Sequence, residues 1–177
     1  VLNYNGLVVA DKKVEAAQAQ IETVCQRRLD LIPNLIETVR GCAAYEQQTL
    51  SVIVAARGNA QDVLKRVGGK KEFSADDMRE LAGSQAQLQD SVRAVFALAE
   101  NYPDLKAGAQ FTALQDQLEG AENRISVERQ RYNEAVRTYN TKIDTFPGNV
   151  IAPWFGFERG SYFEAPAVAM NAVAVKF

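Results

Sequence analysis

The sequence predicts an all-α protein: an up-down-up-down four-helix bundle followed by an irregular, aromatic-rich C-terminal segment. Apolar side chains recur at heptad-like spacing through the first 146 residues, which is the pattern of amphipathic helices. Short polar breaks divide this pattern, and Gly and Pro become frequent only near the end. We therefore expect a bundle over residues 1–146 and a C-terminal segment, called the coda below, over residues 147–177 that packs on it.

The first helix is predicted near residues 4–29. Leu7, Val14 and Ile21 recur one heptad apart on one face, whereas charged residues such as Glu15 lie on the opposite face. This division is typical of a helix that buries one side in a core.

Pro33 lies inside the apolar run that follows and raises the question of where the first helix ends. One helix from residue 4 to 67 would be roughly 95 Å long, and much of its apolar face would lack a cover. A corner at residues 29–32 gives helices of comparable length and places Pro33 at the first helical position, where its missing N–H costs nothing. The sequence favours this corner and a second helix near residues 32–67. A kinked helix covered by partner subunits is the alternative.

The third helix is predicted near residues 75–101, with Ser74 as its N-cap. Pro103 separates it from a fourth helix near residues 104–145. A floppy tail would rarely carry as many aromatic residues as the coda does. We therefore expect an ordered, irregular coda whose aromatic side chains pack on the bundle, namely Trp154, Phe155, Phe157, Tyr162 and Phe163.

The composition excludes some classes of function. The chain has 177 residues with 20 basic and 22 acidic side chains interspersed, which gives no electrostatic footprint for nucleic acid. It contains no histidine, the commonest general base and metal ligand, and no P-loop, GxSxG or CxxC motif. The sequence therefore predicts a non-enzymatic protein without a cofactor or a resident metal.

Glu46 and Arg57 lie on the apolar rows of the second predicted helix, about three turns apart. Because an isolated charge is costly in a core, we expect both to be paired. The favoured interpretation is a salt bridge from Glu46 to a basic residue of the fourth helix. The alternative is that the two side chains set the register of the helices or bind a partner.

A group of polar residues shares one stretch of the fourth predicted helix: Arg124, Tyr132, Asn133, Tyr139 and Asn140. The two tyrosines are one heptad apart, and the two asparagines lie beside them. We favour a structural network that ties these groups to neighbouring backbone and to Tyr4 and Asn5, because buried Tyr and Asn side chains need partners. The alternative is a hydrogen-bonding site for a ligand or a partner.

Two basic pairs, Arg27 with Arg28 and Lys70 with Lys71, are interpreted as solvated residues at opposite ends of the bundle. A site for lipid headgroups would need roughly four to eight basic residues in one cluster. The sequence therefore predicts no electrostatic lipid site.

Five stretches resemble the LemA family in order and in approximate spacing: YNGLV at 4–8, RRLDLIPNLIETVRGCAAYE at 27–46, LAENYPDLKA at 98–107, ENRISVERQRYNEAVRTYN at 122–140 and FPGNVIAPWFGF at 146–157. The resemblance implies a four-helix bundle that follows an N-terminal hydrophobic segment, either a transmembrane helix or a lipoprotein signal. It supplies no activity, because the molecular function of the family is uncertain. Genes of the family often lie near those of membrane proteases, so membrane proteins of this kind are expected partners.

We therefore expect a membrane-anchored helical interaction or scaffold protein. The anchor is expected upstream of residue 1, with the soluble domain on the extracytoplasmic face and the cytoplasmic face as the alternative. LSVIVAA at 50–56 is apolar nearly all round, and such a segment is covered on more than one side. This favours a homo-oligomer formed through the second helix or through the coda with Trp154 and Phe155. A ligand- or metal-binding bundle is the alternative function.

Overall fold

The computed structural model describes residues 2–42 and 47–163, and these residues form helices and no strand. The all-helical class predicted from the sequence is confirmed. The helices are α1 (Leu2–Cys42), α2 (Gln47–Val67), α3 (Ala75–Ala99), α4 (Pro103–Lys106), α5 (Ala109–Asp144) and α6 (Gly148–Phe155).

The helices pack around one hydrophobic core. α1 lies along α5 in the most extensive helix pair, α2 lies along α3, and α1 joins the two pairs by contacting α2. Apolar faces with helical spacing supply the core, as amphipathic helices do. The side chains without any exposed surface include Ile21, Leu29, Ile32, Leu35, Val39, Ile53, Leu81, Leu88 and Val136.

The predicted corner at residues 29–32 is wrong, because α1 continues through Pro33 as one helix. A proline inside a helix costs about 3 kcal/mol. Leu29, Ile32 and Leu35 lie on either side of it and are completely buried, and burying each such side chain stabilises the fold by about 1.5–3 kcal/mol. Continuing the apolar face therefore outweighs the proline. The predicted boundary between the first two helices is wrong for the same reason.

Two predicted helix boundaries are confirmed, and a third lies elsewhere. Ser74 is the N-cap of α3 and forms a capping box: its Oγ accepts from the Asp77 N–H at 3.1 Å, and the Asp77 carboxylate accepts from the Ser74 N–H at 3.0 Å. α2 ends at Val67, and Gly69 follows with a φ of 75°. Pro103 starts the single-turn helix α4, so α5 begins at Ala109 rather than at residue 104.

The coda is not irregular throughout, because its residues 148–155 form α6. A Cβ at Gly148 would lie 1.8 Å from the carbonyl oxygen of Lys142, so only glycine fits where α6 turns back against the end of α5. Gly156, with a φ of 71°, ends α6 in the left-handed conformation. Residues 157–163 follow without helical structure, and residues 164–177 of the coda lie outside the described part of the chain.

Candidate functional site

Asn133 and Asn140 on α5 each clamp the backbone of one coda residue. The Asn140 Nδ2 donates to the Gly160 carbonyl at 3.0 Å, and the Gly160 N–H donates to the Asn140 Oδ1 at 2.9 Å. Asn133 makes the same pair of bonds with Phe163, at 2.9 and 2.7 Å. Each amide therefore satisfies both backbone groups of one residue, as a neighbouring strand would.

The spacing of these bonds defines the course of the coda. Asn133 and Asn140 are seven residues apart on a helix, which is about 10.5 Å. Gly160 and Phe163 are three residues apart, and three residues reach that far only when they are almost fully extended, at about 3.3–3.6 Å each. Residues 157–163, called the clamped segment below, therefore run antiparallel to α5.

Aromatic contacts complete the clamp. The Tyr132 hydroxyl donates to the Ser161 carbonyl at 3.1 Å, and its ring meets the Phe163 ring edge-on with centroids 6.0 Å apart. The Arg129 guanidinium lies 5.0 Å from the centroid of the buried Phe163 ring, in cation–π geometry. Burial raises the pKa of Tyr132, and it raises that of Tyr139 to about 12.

The polar group predicted on the fourth helix is therefore partly brought together. Tyr132, Asn133 and Asn140 share the clamped segment as their partner rather than Tyr4 and Asn5. Tyr139 is also buried, whereas Arg124 is exposed to solvent. The polar groups of Tyr132, Asn133 and Asn140 thus form hydrogen bonds with the backbone of the same chain. Glu46 lies outside the described residues, so its pairing stays a prediction.

Arg57 supplies a hydrogen bond that Pro33 removes from α1. In a regular helix the Leu29 carbonyl would accept from the N–H of residue 33, but proline has no N–H. The half-buried Arg57 on α2 donates its Nε to that carbonyl at 3.2 Å. Arg57 is therefore paired, as predicted, and its partner is the backbone carbonyl that lacks a helical donor because residue 33 is proline.

The sequence interpretation missed Arg28, which is 3% exposed rather than solvated. Its Nη1 lies 2.9 Å from the Glu122 Oε2 and 3.4 Å from the Gln85 carbonyl. Among the described residues, the Arg28 Nε and both side-chain polar atoms of the buried Gln85 have no hydrogen-bond partner. Burial lowers the pKa of Arg28, and the Glu122 carboxylate opposes that shift.

A cavity of about 280 Å³ opens beside Arg28, between α3 and α5. Next to it, α3 and α5 meet through the edge-to-face rings of Phe96 and Phe111, whose centroids are 5.8 Å apart. Across residues 2–42 and 47–163, no group of three or more His, Cys, Asp or Glu side chains is placed to hold a metal ion. The cavity is lined by Arg28, Gln89, Val92, Arg93, Phe96, Leu118, Glu119, Glu122 and Asn123.

Large apolar side chains are exposed on several helices, including Val9 on α1 at 53% and Val127 on α5 at 43%. Two stretches carry more than one of them. On α2, Val52 and Val54 are 51% and 50% exposed. In the coda, Trp154 is 85% exposed and Tyr162 43%, so the structure does not bury these two on the bundle as predicted. Phe155 is 61% exposed but contacts the Tyr4 ring of α1, and Phe157 and Phe163 pack on the core as predicted. None of the helices in the described ranges combines the length and the apolar character that a bilayer-crossing helix needs.

Comparison with known proteins identifies the family. The model of the LemA family matches residues 17–177. The chain is 28% identical to magnetosome protein MamQ 2 of Paramagnetospirillum magneticum, covering 94% of this chain and 67% of the relative. It is 26% identical to MamQ of Magnetospirillum gryphiswaldense over the same shares, and 23% identical to protein LemA of Metamycoplasma hominis, over 93% and 70%. The chain belongs to the LemA family.

Proposed function

We propose that this protein is a membrane-associated helical interaction protein that acts by presenting apolar surface rather than by catalysis. The observation that carries the proposal is the exposure of large apolar side chains on α2 and in the coda, because such patches mark interaction sites. Membership of a family whose members carry a membrane anchor supports the association with a membrane. The four long helices α1, α2, α3 and α5 serve as the up-down framework that holds both surfaces.

The internal polar groups support the same proposal. Asn133 and Asn140 are engaged with the coda backbone, and Arg57 is engaged with the Leu29 carbonyl. Side chains committed to backbone groups stabilise the fold and are not available to a substrate. Other membrane proteins, including proteases, are the proposed partners.

Self-association through α2 is the first specific form of this function. Val52 and Val54 are half exposed on α2, and membrane anchoring would raise the local concentration of copies enough to populate a weak lateral contact. The extracytoplasmic face of the membrane is the proposed location of the domain.

The test is cysteine crosslinking of the membrane-bound protein in cells. Val54→Cys in a Cys42→Ser background should give a crosslinked dimer, while Asp116→Cys, at an exposed position on α5, should not. Membrane fractions and an impermeant thiol reagent applied to the same variants report association with the membrane and its sidedness. Equal, low crosslinking at both positions would contradict self-association through α2.

Small-ligand binding is a second candidate, favoured by the cavity beside Arg28. The guanidinium groups of Arg28 and Arg93 line this cavity, and guanidinium groups suit a small molecule that carries a carboxylate or a phosphate. A ligand that binds only the folded state raises the melting temperature, so a thermal-shift survey of such molecules tests it. Arg93→Gln, at the exposed rim of the cavity, should weaken a genuine hit without unfolding the protein. A survey without any shift would contradict this candidate.

A further inference from the structure

α6 and the residue pair before it form an uncharged apolar projection. Phe146 is 83% exposed and Trp154 85%, with Phe155 at 61% and Val150 at 54%. Val150 and Trp154 are four residues apart and therefore share one face of α6. The stretch from 146 to 157 contains no charged residue. An isolated exposed apolar residue needs no explanation, but four large apolar side chains exposed within residues 146–155 indicate a contact surface.

The projection lies at the end of the molecule where α1 begins and α5 ends. The Tyr4 ring is 4.8 Å from the Phe155 ring, and the Lys142 Nζ donates to the Gly6 carbonyl at 3.0 Å. Gly148 packs α6 tightly against the end of α5, which holds the projection in place. The exposed group, called the aromatic tip below, consists of Tyr4, Phe146, Val150, Trp154 and Phe155.

The size of the aromatic tip argues against a second copy of the chain as its cover. At about 150–250 Å² for each aromatic side chain, its three most exposed rings present roughly 450 Å². A standard protein–protein interface buries about 800 Å² on each partner. A protein partner also needs a surface that matches these highly exposed rings, whereas a fluid bilayer adapts to their shape.

We propose that the aromatic tip inserts into the interfacial region of a lipid bilayer and so sets the bundle upright on the membrane. Trp and Tyr favour this region, because the ring is apolar and its N–H or O–H reaches the headgroups. The nearby charges balance: Arg159 lies 3.3 Å from Asp144, and Lys142 and Glu158 carry opposite signs. We therefore expect an apolar contact that does not depend on anionic lipid. This inference rests on the membrane association proposed above and specifies which part of the chain touches lipid.

Trp154 is the single tryptophan of the chain, so its fluorescence reports directly on the tip. The full chain, tagged with histidines at its N-terminus, is tethered to phosphatidylcholine vesicles through a nickel-chelating lipid. The expected result is a shift of Trp154 emission to shorter wavelength and quenching by brominated phosphatidylcholine. The matched control is Trp154→Phe combined with Val127→Trp, which moves the reporter to a 43% exposed position on α5, 17 residues or about 25 Å before that helix ends beside the tip. Its emission should change little.

A second measurement uses untethered vesicles. Phe155→Ser should weaken their binding by about tenfold, as expected when one exposed aromatic ring leaves an apolar contact, and replacing part of the lipid by phosphatidylglycerol should not change the ratio. Unchanged Trp154 emission on tethered vesicles would overturn the inference. A shift that depends on protein concentration without lipid would also overturn it, because a second copy would then cover the tip.

The two proposals fail separately in these experiments. The tether supplies membrane association artificially, so the emission of Trp154 tests the tip alone. Fractionation of cells tests membrane association alone. A protein that floats with membranes but keeps Trp154 in water would retain the proposed function and lose this inference.

Discussion

The two consecutive parts of the coda, α6 and the clamped segment, differ in how their backbone is bonded and in how far their aromatic side chains are exposed. α6 satisfies its own backbone and leaves its largest side chains exposed, whereas the clamped segment has no helical bonds and is held by Asn133 and Asn140. Phe163 at the end of the clamped segment is 5% exposed, and Trp154 in α6 is 85% exposed. The difference separates structure from surface: the polar pattern on α5 stabilises the fold, and the aromatic residues of α6 remain available to a partner.

The largest effect is expected from removing the clamp. Asn133→Ala and Asn140→Ala each leave two backbone groups without their partner, and each should lower the free energy of unfolding by about 2 kcal/mol. Both asparagines hold the same segment, so the double variant should lose at least as much as either single variant and up to about 4 kcal/mol, as measured by urea denaturation. Asn123→Ala, at an exposed asparagine of the same helix, should change stability by less than about 0.5 kcal/mol. A double variant as stable as this control would refute the clamp.

Pro33 extends the comparison to a second place where a side chain satisfies the backbone. Arg57→Met keeps the aliphatic bulk and removes the donor to the Leu29 carbonyl, so it should cost about 2 kcal/mol. In a Pro33→Ala background the new N–H takes over that carbonyl, and the same change should cost about 0.5 kcal/mol or less.

The parent protein, the two single variants Arg57→Met and Pro33→Ala, and their combination form a double-mutant cycle. This cycle separates the energy of the hydrogen bond from other effects of removing the Arg57 charge. Lys65→Met, at an exposed position on α2, is the matched control and should be neutral in both backgrounds. An equal cost of Arg57→Met with and without Pro33 would show that Arg57 acts through its packing instead.

Much of the helical framework follows from local sequence, and the exceptions have physical reasons. The Ser74 cap and the end of α2 at Val67 depend only on neighbouring residues, and the sequence predicts both. The corner at Pro33 was predicted from a local rule, but the heptad row Leu7, Val14, Ile21 continues to Leu35 beyond it. Burial over the whole helix decides the outcome, and tertiary packing overrides the local preference.

The candidate site was harder to predict because its contacts join distant residues. Arg28 lies on the same heptad row, seven residues after Ile21, so its burial was readable from the periodicity although its neighbour Arg27 suggested a solvated pair. No local pattern pairs Asn140 with Gly160, 20 residues away, or Asn133 with Phe163, 30 residues away. Such partners emerge only when the coda folds back along α5.

A smaller effect is expected from alkaline pH. Burial raises the pKa of Tyr139 to about 12 and also raises that of Tyr132. In the unfolded chain these tyrosine hydroxyls ionise near pH 10, whereas in the folded chain they stay neutral at that pH. Their contribution to the free energy of unfolding is therefore fully present below about pH 10 and is lost as pH rises toward 12. Tyr139 should account for about 1 kcal/mol of lost stability by pH 11, and Tyr132 should add a loss in the same direction.

Absorbance at alkaline pH distinguishes local release of the coda from global unfolding. Tyr139→Phe keeps the ring and removes the ionisable group, so part of the loss between pH 10 and 12 should disappear. In the Asn133→Ala, Asn140→Ala double variant, Tyr132 should ionise at lower pH than in the parent protein, because the segment that buries it has left. A Tyr132 titration that stays unchanged in this variant would show that the segment remains bound without its clamp.

The smallest effect on stability is expected at the aromatic tip. Trp154→Ala removes the largest side chain of the coda, yet the free energy of unfolding should change by less than about 0.5 kcal/mol, because that side chain is 85% exposed. Phe163→Ala, nine positions further along the chain, should cost about 3–4 kcal/mol, because its ring is buried against Tyr132 and Arg129. Thermal and urea unfolding of the two variants, measured in dilute solution without lipid, compare the two parts of the coda directly. If Trp154→Ala were as destabilising as Phe163→Ala, α6 would be packed in solution like the clamped segment, and it would no longer be a surface available to a membrane.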